Sequence, residues 1–175
     1  AFTALDEAPA VRVVVLEGEG RHFTSGIDLQ MFGELMPSLH DDCDGRTREK
    51  LRRFILDLQD TLTSLERCRK PVLAAVHGAC IGGGIDLICC ADMRYASADA
   101  RFSIKEIDIG MVADVGTLQR LPKLIGSQGL VRELAYTGRE VGAAEAQAIG
   151  LVNRVFDTRE AMAAGVREVA QAIAA

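Results

Sequence analysis

The chain has 175 residues with 49% apolar and 26% charged side chains, a composition that excludes a disordered chain and is long enough to bury a core as a single domain over 1–175. A net charge of −5, no Trp and 5% aromatics argue against a nucleic-acid partner. No apolar run approaches the roughly 20 residues of a membrane span, no secretory leader opens the chain, and the five cysteines lack metal-like spacing, a pattern of reduced thiols in an intracellular protein.

In chain order, Phe2 to Ala8 reads as the tail of a helix and the β-branched run Val11 to Leu16 as a buried strand. Arg21 to Leu29 is a mixed turn segment, and Gly33 to Gly45, with Pro37 and three Asp, reads as a mobile loop. Leu51, Phe54, Ile55, Leu58, Leu62 and Leu65 recur at helical spacing and predict a helix over 47–67, with Arg, Asp and Gln on its other face. Lys70-Pro71 stops it, because the residue before Pro avoids the α region. Val72 to Val76 is a second buried strand, followed by a turn into Gly82-Gly83-Gly84 and a helix over 85–91. Strands follow at 93–96 and 100–103, helices at 127–137 and 143–149, a strand at 152–155, and an Ala-rich amphipathic helix over 159–174. Alternation of strands with helices makes the fold α/β with a mostly parallel sheet. The last helix carries more apolar face than a small monomer covers, which points to an oligomer.

Three glycines between a strand and a helix let a ligand touch the backbone and aim free N–H groups outward, as an anion or an oxyanion requires. The bland alternative is tight helix–strand packing, and neither a dinucleotide fingerprint nor a P-loop is present. Asp86 lies in an almost wholly apolar stretch, Gly-Ile-Asp-Leu-Ile-Cys-Cys, where a carboxyl must be paired, protonated or used. Asp114 sits in a similar setting, Met-Val-Ala-Asp-Val-Gly. Glu106, taken alone, reads as an exposed strand-end residue paired with Lys105. His22, Ser25 and Asp28 crowd one turn and cannot be set in series as a triad, and no spacing of His or Cys suits zinc, so no metal is expected.

Four ordered segments together resemble the crotonase, or enoyl-coenzyme A hydratase/isomerase, superfamily: His22 to Leu29; Lys70 to Gly78 leading into Gly82-Gly83-Gly84; Gly116 to Pro122; and Ala143 to Val152. The resemblance implies a crotonase-like spiral of β-β-α turns, assembled as a homotrimer or hexamer, with the chain expected to be incomplete at both ends. It implies an oxyanion hole from the backbone N–H groups of Ile27 and Gly83, and an acyl-coenzyme A thioester as substrate, with coenzyme A part of that substrate and no separate cofactor. Asp86, Glu106 and Asp114 are similar to the three acidic residues of the superfamily's dienoyl-coenzyme A isomerases, where hydratases carry Glu and Gly at the first and third positions. The activity so implied is isomerisation of 3,5-dienoyl to 2,4-dienoyl thioesters in fatty-acid β-oxidation, with Glu106 as base at carbon 2, Asp86 as acid at carbon 6 and Asp114 tuning the pair. Alternatives are a hydratase or monoenoyl isomerase on the same scaffold, or a non-catalytic coenzyme A-binding protein. The implied location is the cytoplasm in a bacterium, and mitochondria or peroxisomes in a eukaryote.

Overall fold

The computed structural model describes residues 1–175. After the short helix α1 (Phe2–Glu7), strand β1 (Val14–Glu17) pairs in parallel with β2 (Val72–Val76), Val14 opposite Val72. With β4 (Met93–Ser97) and β7 (Arg154–Phe156) these form a four-stranded parallel sheet in the order β1-β2-β4-β7. A second sheet holds β3 (Ala79–Ile81), β5 (Arg101–Ser103) and β6 (Val141–Gly142), with β5 between the other two. The chain passes from the first sheet to the second at each tight turn, β2 to β3 and β4 to β5, before it enters a helix. This is the spiral of β-β-α turns.

Helices α2 (Leu29–Leu35) and α3 (Asp44–Glu66) lie between β1 and β2 in sequence, and α4 (Gly83–Cys89) follows β3. Helices α5 (Thr117–Ile125) and α6 (Gln128–Thr137) follow β5, α7 (Ala143–Ala148) follows β6, and α8 (Arg159–Ala174) ends the chain. Every residue of β2 is buried, as expected for a central parallel strand covered on both faces. Its alternation divides the core. Val72, Ala74 and Val76 face the larger cluster with Ile85, Ile88, Phe102 and Leu121, while Leu73 and Ala75 face Tyr95, Phe156, Met162 and Val166.

Several expectations change. The strand expected at 11–16 runs from Val14 to Glu17, and its residues are alternately half-buried and exposed because only β2 borders it. The stretch expected as a loop over 33–45 holds the end of α2 and a 3-10 turn at Met36–Leu39, and Asp41 there accepts from Arg46 at 2.7 Å and pairs with Lys50 at 3.0 Å. Helix α4 begins two residues before its expected start. Gly82, at φ 55, turns the chain out of β3 so that Gly83 is already helical. Strands β3 and β6 are too short to show a period. Helix α5 was hidden by Pro122, which removes an amide bond but leaves Leu121 buried in the core. The apolar face of α8 is covered within the chain: Met162, Val166 and Ala170 bury against the parallel sheet. No helix is long and apolar enough to cross a membrane.

In the middle of α8, a Cβ at Gly165 would overlap the Phe156 ring. Helix propensity favours Ala over Gly by up to about 1 kcal/mol, whereas overpacking costs about 1–3 kcal/mol. The clash should win. Denaturant unfolding of Gly165→Ala should show a loss of about 1–2 kcal/mol, and a gain would mean that the ring yields freely.

Candidate active site

The segment after β1 is laid against the β2–β3 crossover by backbone bonds. Phe23 N–H donates to His77 O at 2.9 Å, Thr24 N–H to Ala79 O at 3.0 Å, and Ile81 N–H to Thr24 O at 3.2 Å. His22 is used structurally, its Nδ1 accepting from Ala79 N–H at 3.2 Å. Asp28 caps α2, its carboxylate accepting from the amides of Gln30 and Met31, each at 3.0 Å. Both roles remove these residues from any triad with Ser25.

Two glycines set how closely the segments approach. Gly26, at φ 97, places the site of a would-be Cβ 3.1 Å from Ile81 O, and a Cβ on Gly84 would overlap the Thr24 methyl. Ile27 follows Gly26, and its N–H donates to no group of the chain. Gly83 opens α4, so its N–H is among the amides for which a helix has no internal acceptor. Ile27 and Gly83 both line one cavity of about 570 Å³. Its walls are otherwise mostly apolar: Phe32 and Met36, then Leu51, Phe54, Ile55, Leu58 and Leu62 from α3, and Ile109, Met111 and Val112 from the stretch before α5. The apolar stripe of α3 comprises Leu51, Phe54, Ile55, Leu58, Leu62 and Leu65. Of its six members only Leu65 is fully buried, and the other five form a wall of this cavity.

The three acids occupy different depths. Glu106 stands in a 3-10 turn, Glu106–Ile109, not at a strand end, and Lys105 pairs with Asp108 at 3.0 Å instead of with it. Its Oε1 lies 3.4 Å from where a Cβ on Gly82 would be, and its Oε2 is buried with no hydrogen-bond partner. Glu106 and Asp114 line the cavity, whereas Asp86, in the first turn of α4, is fully buried and does not. Asp86 Oδ1 accepts from Thr117 N–H at 2.6 Å, and Oδ2 is buried without a partner, as is the Thr117 hydroxyl. Burial is the main reason that Asp86 sits above the ordinary carboxylate range. Hydrogen bonding from Thr117 opposes the shift and the charge of Asp114 adds to it. Burial also raises Glu106, opposed by backbone hydrogen bonding and reinforced by the charges of Asp86 and Asp114.

Two contacts around this cluster are not visible in sequence. Thr117 supplies the amide that holds Asp86. Gln59, from the polar side of α3, donates its Nε2 to the backbone oxygen of Asp114 at 2.6 Å. A Gln on the polar face of an amphipathic helix carries no mark of a partner 55 residues away. No cluster of three or more His, Cys, Asp or Glu side chains is gathered to hold a metal ion.

The Ile27 and Gly83 amides and the Glu106 and Asp114 carboxyl side chains thus line one largely apolar cavity, and a third carboxyl, Asp86, is fully buried outside its lining. The family model described as enoyl-CoA hydratase/isomerase matches residues 1–175, and the chain belongs to that family. It is 48% identical over 174 residues to the peroxisomal Delta(3,5)-Delta(2,4)-dienoyl-CoA isomerase of Arabidopsis thaliana, covering 99% of this chain and 62% of the relative. It is 51% identical over 162 residues to the mitochondrial Delta(3,5)-Delta(2,4)-dienoyl-CoA isomerase of Mus musculus, covering 92% of this chain and 49% of the relative. A crystal structure of an enoyl-CoA hydratase from Bacillus anthracis superposes with a TM-score of 0.84 at 32% identity, over 99% of this chain and 62% of that one. The chain thus spans between half and two thirds of the length of these proteins.

Because its folded-state pKa is raised, Asp86 binds a proton on folding. That contribution is complete below the unfolded-state pKa and is lost as pH rises through the folded one. Asp86→Asn keeps an acceptor for Thr117 N–H and cannot ionise. Its melting temperature should fall less steeply than wild type as pH rises from the carboxylate range through neutrality. Parallel curves would show that Asp86 does not carry the proton.

Proposed function

We propose that this protein isomerises 3,5-dienoyl-coenzyme A thioesters to 2,4-dienoyl thioesters by proton transfer between two carboxyl groups. The observation that carries this reading is the placement of Glu106 and Asp114 on one apolar cavity that also holds the Ile27 and Gly83 amides. The names of the relatives, Delta(3,5)-Delta(2,4)-dienoyl-CoA isomerases, support it. The thioester oxygen would accept from the two amides, and one such donor is worth on the order of 3 kcal/mol in an oxyanion hole.

Glu106 takes a proton from carbon 2, and the electron pair delocalises from the thioester oxygen to carbon 6. A proton delivered to carbon 6 leaves double bonds at carbons 2 and 4. Its raised pKa suits Glu106 to act as base, because proton transfer is most efficient when the pKa lies near working pH. Asp114, the other acid on the cavity wall, delivers the proton to carbon 6. Asp86, expected from sequence to be that acid, is fully buried and absent from the cavity lining, which supports giving that role to Asp114. Asp86 holds Thr117 and disfavours full ionisation of the cluster. Each turnover leaves Glu106 protonated and Asp114 ionised, and exchange with solvent restores the starting state.

The test is turnover of a 3,5-dienoyl-coenzyme A thioester by full-length protein, followed by absorbance of the conjugated product. Glu106→Gln and Asp114→Asn should each lower kcat by about 10²–10⁴-fold. Hydration of a 2-enoyl thioester without isomerisation, or wild-type turnover in both variants, would overturn the assignment.

A homotrimeric or hexameric assembly belongs to the same proposal. Its support is the apolar surface left open at Val112, 63% exposed, and Tyr136, 73% exposed. Sedimentation of the full-length protein at micromolar concentration should give an oligomer; a monomer would reject this part of the reading.

A further inference from the structure

We infer that Gln59 is a positioning residue for proton delivery at carbon 6, acting through its grip on the Asp114 backbone; this rests on Asp114 being the acid there. Helix α3 has two working faces side by side. Ile55, Leu58 and Leu62 line the cavity. Gln59, Thr63 and Glu66, at helical spacing along the neighbouring face, hold the start of α5. Arg120 donates to Thr63 Oγ1 at 3.1 Å and to Glu66 Oε2 at 2.7 Å. Its guanidinium also occupies the place a Cβ would take at Gly116, a residue at φ 140.

The Asp114–Gly116 turn is therefore clasped from α3 at two points. The arginine clasp reaches its far end. Only the Gln59 Nε2 bond to Asp114 O, at 2.6 Å, acts on the residue that carries the acid. Glu106 is held separately, by its 3-10 turn. Loss of the Gln59 bond should therefore displace one of the two carboxyls and leave the other in place. A misplacement of about 1 Å in a catalytic group can cost on the order of 10²-fold.

This asymmetry gives a readout that general loosening does not. In D2O, removal of the carbon 2 proton by Glu106 followed by return labels the unreacted 3,5-dienoyl thioester. Delivery to carbon 6 makes product. Gln59→Met removes the donor at similar shape. In full-length protein it should lower product formation about tenfold or more, with KM within about threefold. The ratio of carbon 2 label in recovered substrate to product formed should rise by a similar factor. Gln59→Lys, which restores a donor on a flexible stem, should recover part of the loss. In an Asp114→Asn background, Gln59→Met should have no further effect.

Unchanged product formation in Gln59→Met overturns the inference. So do equal losses of labelling and product, or an additive loss in the double variant. If Gln59→Met does not fold, Gln59→Lys carries the same comparison, and labelling and product falling together there would count equally against it. Wild-type turnover by Asp114→Asn would overturn the underlying assignment of the acid, and the inference with it. A normal Asp114→Asn defect beside an inert Gln59→Met would reject the inference alone.

Discussion

Two stretches of backbone approach each other with no side chain between them, and the rest of the site depends on that contact. Thr24 to Ile27 and Ile81 to Gly84 can lie together only because Gly26 and Gly84 lack a Cβ where Ile81 O and the Thr24 methyl stand. The parallel pairing of Thr24 with Cys80 fixes the register. The cap on α2 fixes the exit of the chain after Ile27. Two amides on different segments thereby come to one cavity, and neither needs a side chain to define its direction. A donor made of backbone is as rigid as the sheet that carries it.

Against those fixed donors, the carboxyls form a graded set. Asp86 is buried to the point where ionisation is costly. Glu106 is partly so, and Asp114 stands on the cavity wall beside an exposed Val112. The gradient arises from fold position: α4 passes through the core, the 3-10 turn skirts it, and the stretch before α5 lies at its rim. Like charges at these separations disfavour three simultaneous ionisations, so a retained proton is a property of the cluster more than of any member.

Much of this architecture was legible in the residues. The apolar run Val72 to Val76, the Lys70-Pro71 stop and the helical stripe of α3 each follow from local physics. The glycine triplet and the apolar surroundings of Asp86 and Asp114 marked the site before any geometry was known. Depth was not legible. Sequence puts Asp86 and Asp114 in apolar contexts and Glu106 beside Lys105, but only the tertiary arrangement shows that Asp86 lies outside the cavity lining while Glu106 leaves Lys105 to Asp108. Periodicity found the apolar face of α3 and could not say that it faces a cavity. The same limit applied to α8, whose apolar face is matched by the sheet below it. Gln59 and Thr117 act through contacts spanning 55 and 31 residues, which no local pattern encodes.

The double use of α3 bears on how the shape of the cavity could change, by selection or by design. Shortening or enlarging Ile55, Leu58 or Leu62 alters the same helix that clasps the Asp114 turn, so a new cavity shape there comes with a shifted turn. Phe32 and Met36 also line the cavity, on a segment with no hydrogen bond to that turn. Substitutions at these two positions can reshape the cavity without breaking the clasp.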